Sequence, residues 1–176
     1  MSPKALQHEA PGPASKGAGD LPGAKTLVLG IGNTLLSDDG AGIYAAREVK
    51  KRIGETNEDV EVAEAHAAGL SLATLMSGYE EVVIADAIIT EGGVPGTVAE
   101  IDFNDFSPSY HLVSQHGVDI FTAVELARRC GLLMPSRIRI IAIEIEDNVN
   151  VREECTPAVS AAIREAAEKI LKILGL

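Results

Sequence analysis

The chain has 176 residues, of which 46% are apolar and 3% aromatic, and it contains no tryptophan. A chain of this size buries roughly two-thirds of its unfolded surface in one domain, so the core must be built from Val, Ile, Leu and Ala. The net charge of −11 argues against nucleic acid, whose phosphates are bound mainly by Lys and Arg, and against an anionic membrane surface. Cys130 and Cys155 lack metal-type spacing, there is no apolar leader, and no run is long enough to span a bilayer. These features give the expectation of a cytoplasmic protein with reduced thiols.

Residues 1–23, MSPKALQHEAPGPASKGAGDLPG, are rich in Pro, Gly, Ala and Ser without a period. They are expected to form a disordered extension, with residues 24–176 as a single domain. TLVLGIG then reads as a strand buried on both faces. Gly42 to Ile53 reads as a helix with Ile43, Ala46, Val49 and Ile53 on one face. DVEVAEA is a second strand, Leu70–Met76 a short helix, and EVVIADAII a third strand. GTVAEID alternates, as an edge strand does, and Gly117 to Cys130 reads as a helix before the long strand RIRIIAIEIE. In the last helix Thr156 takes the N-cap, Pro157 the first helical position, and Gly175 the stop. Glu165–Lys169 and Glu168–Lys172 are spaced to pair along it. This alternation predicts a three-layer α/β/α sandwich with a mostly parallel twisted sheet of about five strands.

The stretch VLGIGNTLLSDDGAG starts like a nucleotide-binding turn, with Gly30 and Gly32. A dinucleotide fingerprint needs a third glycine where Leu35 stands. Asp38 and Asp39 fall beside the next helix's N-terminus, which ordinarily draws an anion. Two carboxylates there repel pyrophosphate. One aspartate can cap the helix; a cation ligand explains the second.

Ligands of parallel sheets gather beyond the C-terminal strand ends. Asp86 closes the apolar run VVIAD and is expected at the same rim as Asp39, as a turn cap or a ligand. His8 lies in the extension, His66 follows the second strand and competes for the site, and His111 and His116 lie in SYHLVSQHGVDIFTAV. His116 directly precedes a helix whose first turn Asp119 can support. Two carboxylates and one imidazole suit a borderline divalent metal with positions left open for water or substrate.

LVLGIGNTLLSDDGAG, VVIADAI followed by PGT, SQH before a helix, and CTPAV opening the last helix resemble the [NiFe]-hydrogenase maturation endopeptidases in family order, over about Lys25 to Leu174. HGVDIFTA and EIEDN resemble the branch serving archaeal deazaflavin-reducing hydrogenases. The resemblance implies removal of a C-terminal peptide from the hydrogenase large-subunit precursor after nickel insertion. It places the metal-contacting and catalytic roles on Asp39, Asp86 and His116, with Asp38, Gly30, Gly32, Asn33 and Gly40 in support. Nickel is then carried by the substrate's cysteines rather than held tightly by the enzyme. The chain departs from many members in the histidine loop, where Gly117 follows the histidine directly.

Three other schemes use overlapping residues. GLSLA approximates the G-x-S-x-G elbow, giving a serine hydrolase with Ser71, Asp86 and His116, although Ala73 replaces the final glycine. Cys155, before a proline-started helix, is a candidate nucleophile or a small buried residue. A non-catalytic module that binds nickel and the large subunit uses the same three metal-contacting residues.

Overall fold

The computed structural model describes residues 25–54, 57–66, 69–105, 111–112 and 120–176; the segment expected to be a disordered extension lies outside them. Strand β1 (Thr26–Ile31) is followed by a 3-10 turn at Ser37–Gly40 and helix α1 (Ala41–Ile53). Then come β2 (Val60–Ala65), α2 (Leu70–Met76), β3 (Glu81–Ile89), β4 (Val98–Asp102), the two-residue β5 (His111–Leu112), α3 (Ile120–Arg129), β6 (Arg137–Glu144) and α4 (Pro157–Ile173).

The sheet runs β2-β1-β3-β6-β4, with β5 hydrogen-bonded to β3. The β1–β2, β1–β3 and β3–β6 pairs are parallel, whereas β4 on β6 and β5 on β3 are antiparallel. The sheet is therefore mixed. The expected parallel body is present, and the edge strand GTVAEID closes it in the opposite sense, as its alternating pattern permits.

Apolar side chains alternate between two cores, one on each face of the sheet. Val28, Val83, Ile141 and Ile143 pack with α1 and α4. Leu29, Ile84, Ile138 and Ile140 pack with Leu72 and Met76 of α2 and Ile120 and Val124 of α3. Three layers result. α1 ends at Gly54, with φ of +72°, and α4 ends at Gly175, whose amide reaches Lys172 O at 3.2 Å while Leu176 N reaches Leu171 O at 3.0 Å. These bonds satisfy the last carbonyls of α4. Lys169 lies 3.5 Å from Glu165 as its spacing implies, but Glu168 lies 3.7 Å from Arg52 of α1, tying the two helices of one layer together.

The winding sets the site's position. From β1 the chain passes through α1 to β2 on one side, then through α2 to β3 on the other side of β1. The topological switch point lies between the carboxyl ends of β1 and β3, where connections leave in opposite directions and open a crevice. A second cavity, of about 600 Å³, opens at the opposite edge, lined by Lys25, Glu81, Arg137 and Asp102 among others. It lies at the amino ends of β1, β3 and β6, away from the switch point.

Candidate active site

The turn after β1 is built on glycine. Gly32 has φ of +143°, and a Cβ there would lie 1.9 Å from the Asp39 carbonyl oxygen. Only glycine permits that approach at that backbone angle. The turn folds back over this contact: Asn33 N donates to Asp39 O at 3.3 Å, and Asn33 Oδ1 accepts from Leu35 N at 3.0 Å. A Cβ on Gly40 would lie 2.9 Å from the Tyr44 ring. The glycine missing from the fingerprint's third position is supplied later by Gly42. Its Cβ would fall 2.2 Å from Ala85 O and 2.5 Å from Ile31 O, while one on Gly30 would fall 2.6 Å from Gly42 O. α1 thus starts directly on the backbones of β1 and β3, which brings Asp39 to the switch point.

Asp86 meets that turn from β3. It closes the apolar run VVIAD inside a strand that continues, as read, to Ile89, with Asp86 opposite Ala142 of β6. What ends is its neighbour: β1 pairs with β3 only as far as Gly30–Ala85, and β5 takes up the same side of β3 at Ile88–Leu112. Asp86 therefore occupies a notch between two strands. It is 2% exposed, its Oδ1 accepts from Ala87 N at 2.8 Å, and its Oδ2 is buried with no hydrogen-bond partner among the described residues. Burial pushes its carboxyl well above the ordinary carboxylate range; the Ala87 hydrogen bond opposes this, and the Asp39 charge adds to it. The two acids thus feel each other across the switch point, as the strand-end argument required.

Asp38 does something different from its neighbour, and from the expected cap. The first turn before α1 has no side-chain cap bond. Asp38, fully buried, faces the other end of the chain. It accepts from Thr156 N at 2.6 Å and Thr156 Oγ1 at 3.0 Å, and from Asp147 N at 3.2 Å and Glu146 N at 3.4 Å. Thr156 does precede α4, with Pro157 in the first turn, but its hydroxyl donates to Asp38 instead of accepting from the helix. The residue before α4 is thus held by an acid 118 positions earlier in the chain, and α4 itself has no side-chain cap bond. More bonds stitch the same two segments. Ser37 N donates to Arg152 O at 2.7 Å, Arg152 N to Leu35 O at 3.0 Å, Arg152 Nη2 to Ser37 Oγ at 2.8 Å, and the Tyr44 hydroxyl to Glu153 O. Ser37 has φ of +48°, the only positive value at a non-glycine among the described residues.

His116 and Asp119 lie outside the described residues, and so does any contact between His116 and the acid pair. Among the described residues no group of three or more His, Cys, Asp or Glu is placed to hold a metal ion. His66 is exposed at the carboxyl end of β2, with Nδ1 3.0 Å from Gly32 O. Ser71 sits on the first turn of α2, and the strained backbone a nucleophile elbow requires is at Gly69, with φ of +64°, two residues upstream. The elbow is not formed at the serine. Burial, and then the Asp38 charge, push the Cys155 thiol up to about 11, so it is protonated at neutral pH and is not a thiolate nucleophile.

Glu144 is a residue the sequence reading did not single out. Buried at the carboxyl end of β6, it accepts from Thr90 N at 2.7 Å and Thr90 Oγ1 at 2.8 Å. A Cβ on Gly93 would fall 2.1 Å from its Oε1. It fixes the turn TEGGVPGT beside the rim; the paired glycines after Thr90 were its one legible sign.

A doubly wound α/β fold with an acid pair at its switch point belongs to the open-sheet α/β class, with those acids at the carboxyl edge of the strands. Comparison with known proteins narrows this. The family described as HycI, hydrogenase maturation protease, matches residues 43–173. The hydrogenase 2 maturation protease of Escherichia coli (strain K12) is 26% identical over 151 residues, covering 85% of this chain and 90% of that protein. The hydrogenase expression/formation protein HupD of Rhizobium leguminosarum bv. viciae is 27% identical, covering 89% of this chain and 77% of that protein. Among solved structures, the hydrogenase maturating endopeptidase HybD from Escherichia coli superposes with a TM-score of 0.66 at 26% identity, over 85% of this chain and 91% of that one. The [NiFe] hydrogenase maturation protease HybD from Thermococcus kodakarensis shares the fold, with a TM-score of 0.65 at 24% identity over 85% of this chain and 98% of that one. The chain belongs to the hydrogenase maturation protease family and is an endopeptidase. No helix among the described residues is long and apolar enough to cross a membrane.

Proposed function

We propose that this endopeptidase removes the C-terminal extension of a [NiFe]-hydrogenase large-subunit precursor once nickel has been inserted, and that it acts in the cytoplasm. The nickel is substrate cargo, bound by the precursor's cysteines; Asp39, Asp86 and His116 complete its coordination. One observation carries this reading: Asp86 presents a buried carboxyl oxygen with no hydrogen-bond partner among the described residues, beside the Asp39 charge. A buried polar atom without a partner costs about 1–3 kcal/mol, and a divalent cation delivered to the notch relieves that cost. Oxygen donors and one imidazole leave room for the substrate's own ligands.

Cleavage is then conditional on nickel. Without the ion nothing links the precursor's cysteines to these three residues, and the scissile segment is not held at the rim. When bound, the ion also polarises a carbonyl or acidifies water. Mass spectrometry of the precursor after incubation with the protein tests this, and the resemblance makes a deazaflavin-reducing hydrogenase the first precursor to try. Loss of a C-terminal peptide from nickel-loaded precursor alone is the expected result. An intact mass would make the protein a binding module. Asp39→Asn and His116→Ala are expected to yield folded proteins that leave the nickel-loaded precursor intact, and normal processing by both would remove the metal-contacting role.

A further inference from the structure

Hydrolysis of an amide needs a group to take a proton from the attacking water and return it to the leaving nitrogen. Around the switch point most candidates are spent. Asp86 is buried and sits in the notch, the Cys155 thiol faces the Ser37 carbonyl at 3.7 Å, and Ser71 lies in a regular helix. His116 is assigned to the nickel in the reading above.

His66 is different. Its Nδ1 lies 3.0 Å from the Gly32 carbonyl oxygen, and a carbonyl can only accept, so the N–H is on Nδ1. The basic lone pair is therefore on Nε2, in an exposed residue. The orienting carbonyl belongs to the glycine against which the Asp39 backbone packs, so the imidazole and Asp39 are held by one piece of backbone. Gly32 N also donates to Ala65 O at 3.2 Å, fixing the end of β2 from which His66 extends. A backbone carbonyl on one ring nitrogen, with no bond to the other among the described residues, is the arrangement that holds an imidazole in a working tautomer. The charged groups around it are Glu64 of β2, which feels the imidazole, and Arg47 of α1, paired with Glu64 at 2.7 Å; Asp39 approaches Gly32 through its backbone carbonyl.

We propose that His66 is the general base of the cleavage, a role that rests on the endopeptidase reading of this rim. Water attacks the scissile carbonyl carbon while Nε2 takes one of its protons. The C–N bond then breaks as the imidazolium returns that proton to the leaving nitrogen. One water is consumed, and a carboxylic acid and an amine are formed. Gly32 holds the ring throughout.

The test is His66→Gln on nickel-loaded precursor. Its amide can still donate to the Gly32 carbonyl, but it has no basic nitrogen. The expected result is melting and precursor binding like the parent, with single-turnover cleavage slower by about 10²-fold or more. His66→Ala is expected to be equally slow. Cleavage by His66→Gln within about threefold of the parent overturns the assignment, as does loss of precursor binding in that variant, which would make His66 a docking residue. If the parent itself leaves nickel-loaded precursor intact, the endopeptidase reading of the rim fails first, and the base with it.

Discussion

Asp38→Ala should lower the stability of this protein more than most single substitutions. The carboxylate is fully buried and accepts four hydrogen bonds from Thr156, Asp147 and Glu146, the two from Thr156 at 2.6 and 3.0 Å. Hydrogen bonds to a charged group contribute about 1.5–3 kcal/mol each. They are not additive here, since one carboxylate makes all four and its own burial offsets part of the gain. Counting the two short ones and discounting for that burial gives a loss of about 2–4 kcal/mol. For a chain of this length that corresponds to a fall in Tm of roughly 5–15 °C. Asp38→Asn keeps one acceptor oxygen but points an NH2 at the remaining donors, so it should fall between the parent and Ala. Thermal unfolding followed by far-UV circular dichroism reads the effect directly. Unchanged melting together with abolished processing would refute the clamp and make Asp38 a ligand or a base.

Asp86→Asn should stabilise the nickel-free protein increasingly as pH rises. The folded carboxyl is pushed up, so the folded state binds more protons than the unfolded one between the ordinary Asp value and the raised one. The parent's stability is full below the first and falls as pH climbs toward the second. Melting temperatures across that range should diverge in favour of the variant, and parallel curves would refute the shift. Gly42→Ala puts a Cβ 2.2 Å from a backbone oxygen of β3, which neither chain can yield easily. A loss of at least about 2 kcal/mol is expected, read as a lower urea midpoint, while Leu35→Gly, at an exposed side chain, should not rescue it. Cys155→Ala should process precursor normally, because a thiol pushed up to about 11 supplies no thiolate at neutral pH; a dead variant with parental melting would reinstate cysteine catalysis.

What the sequence made legible was whatever depends on local periodicity or on strand order. EVVIADAII and Leu70–Met76 coincide with β3 and α2, because a continuous apolar run and a short amphipathic turn are each decided by neighbours. Asp39 and Asp86 come together because a doubly wound sheet sets the turn after β1 beside the carboxyl half of β3 at one crevice. The misreadings involve partners remote in sequence. A DD pair before a helix reads as a cap because nearly all capping is local, and nothing nearby reveals that Asp38 reaches across 118 residues to Thr156. The close approach made by Gly42 was not legible because the fingerprint fixes its third glycine at Leu35, whereas this turn is longer and delivers that glycine only inside α1.

That longer turn explains why the two adjacent aspartates face different parts of the chain. In a 3-10 turn, successive side chains point about a third of a turn apart, so adjacent residues cannot face the same partner. With the turn held from below by Gly32 and Gly40 and from the side by Arg152, Asp38 faces the α4 start. Asp39, next in the chain, lies where its charge reaches Asp86. The bonds to Thr156, Glu146 and Asp147 set the rotation of the whole turn. The segment between β6 and α4 thereby determines the placement of an acid in the turn after β1, and loosening it should be felt at the switch point before it is felt in the core.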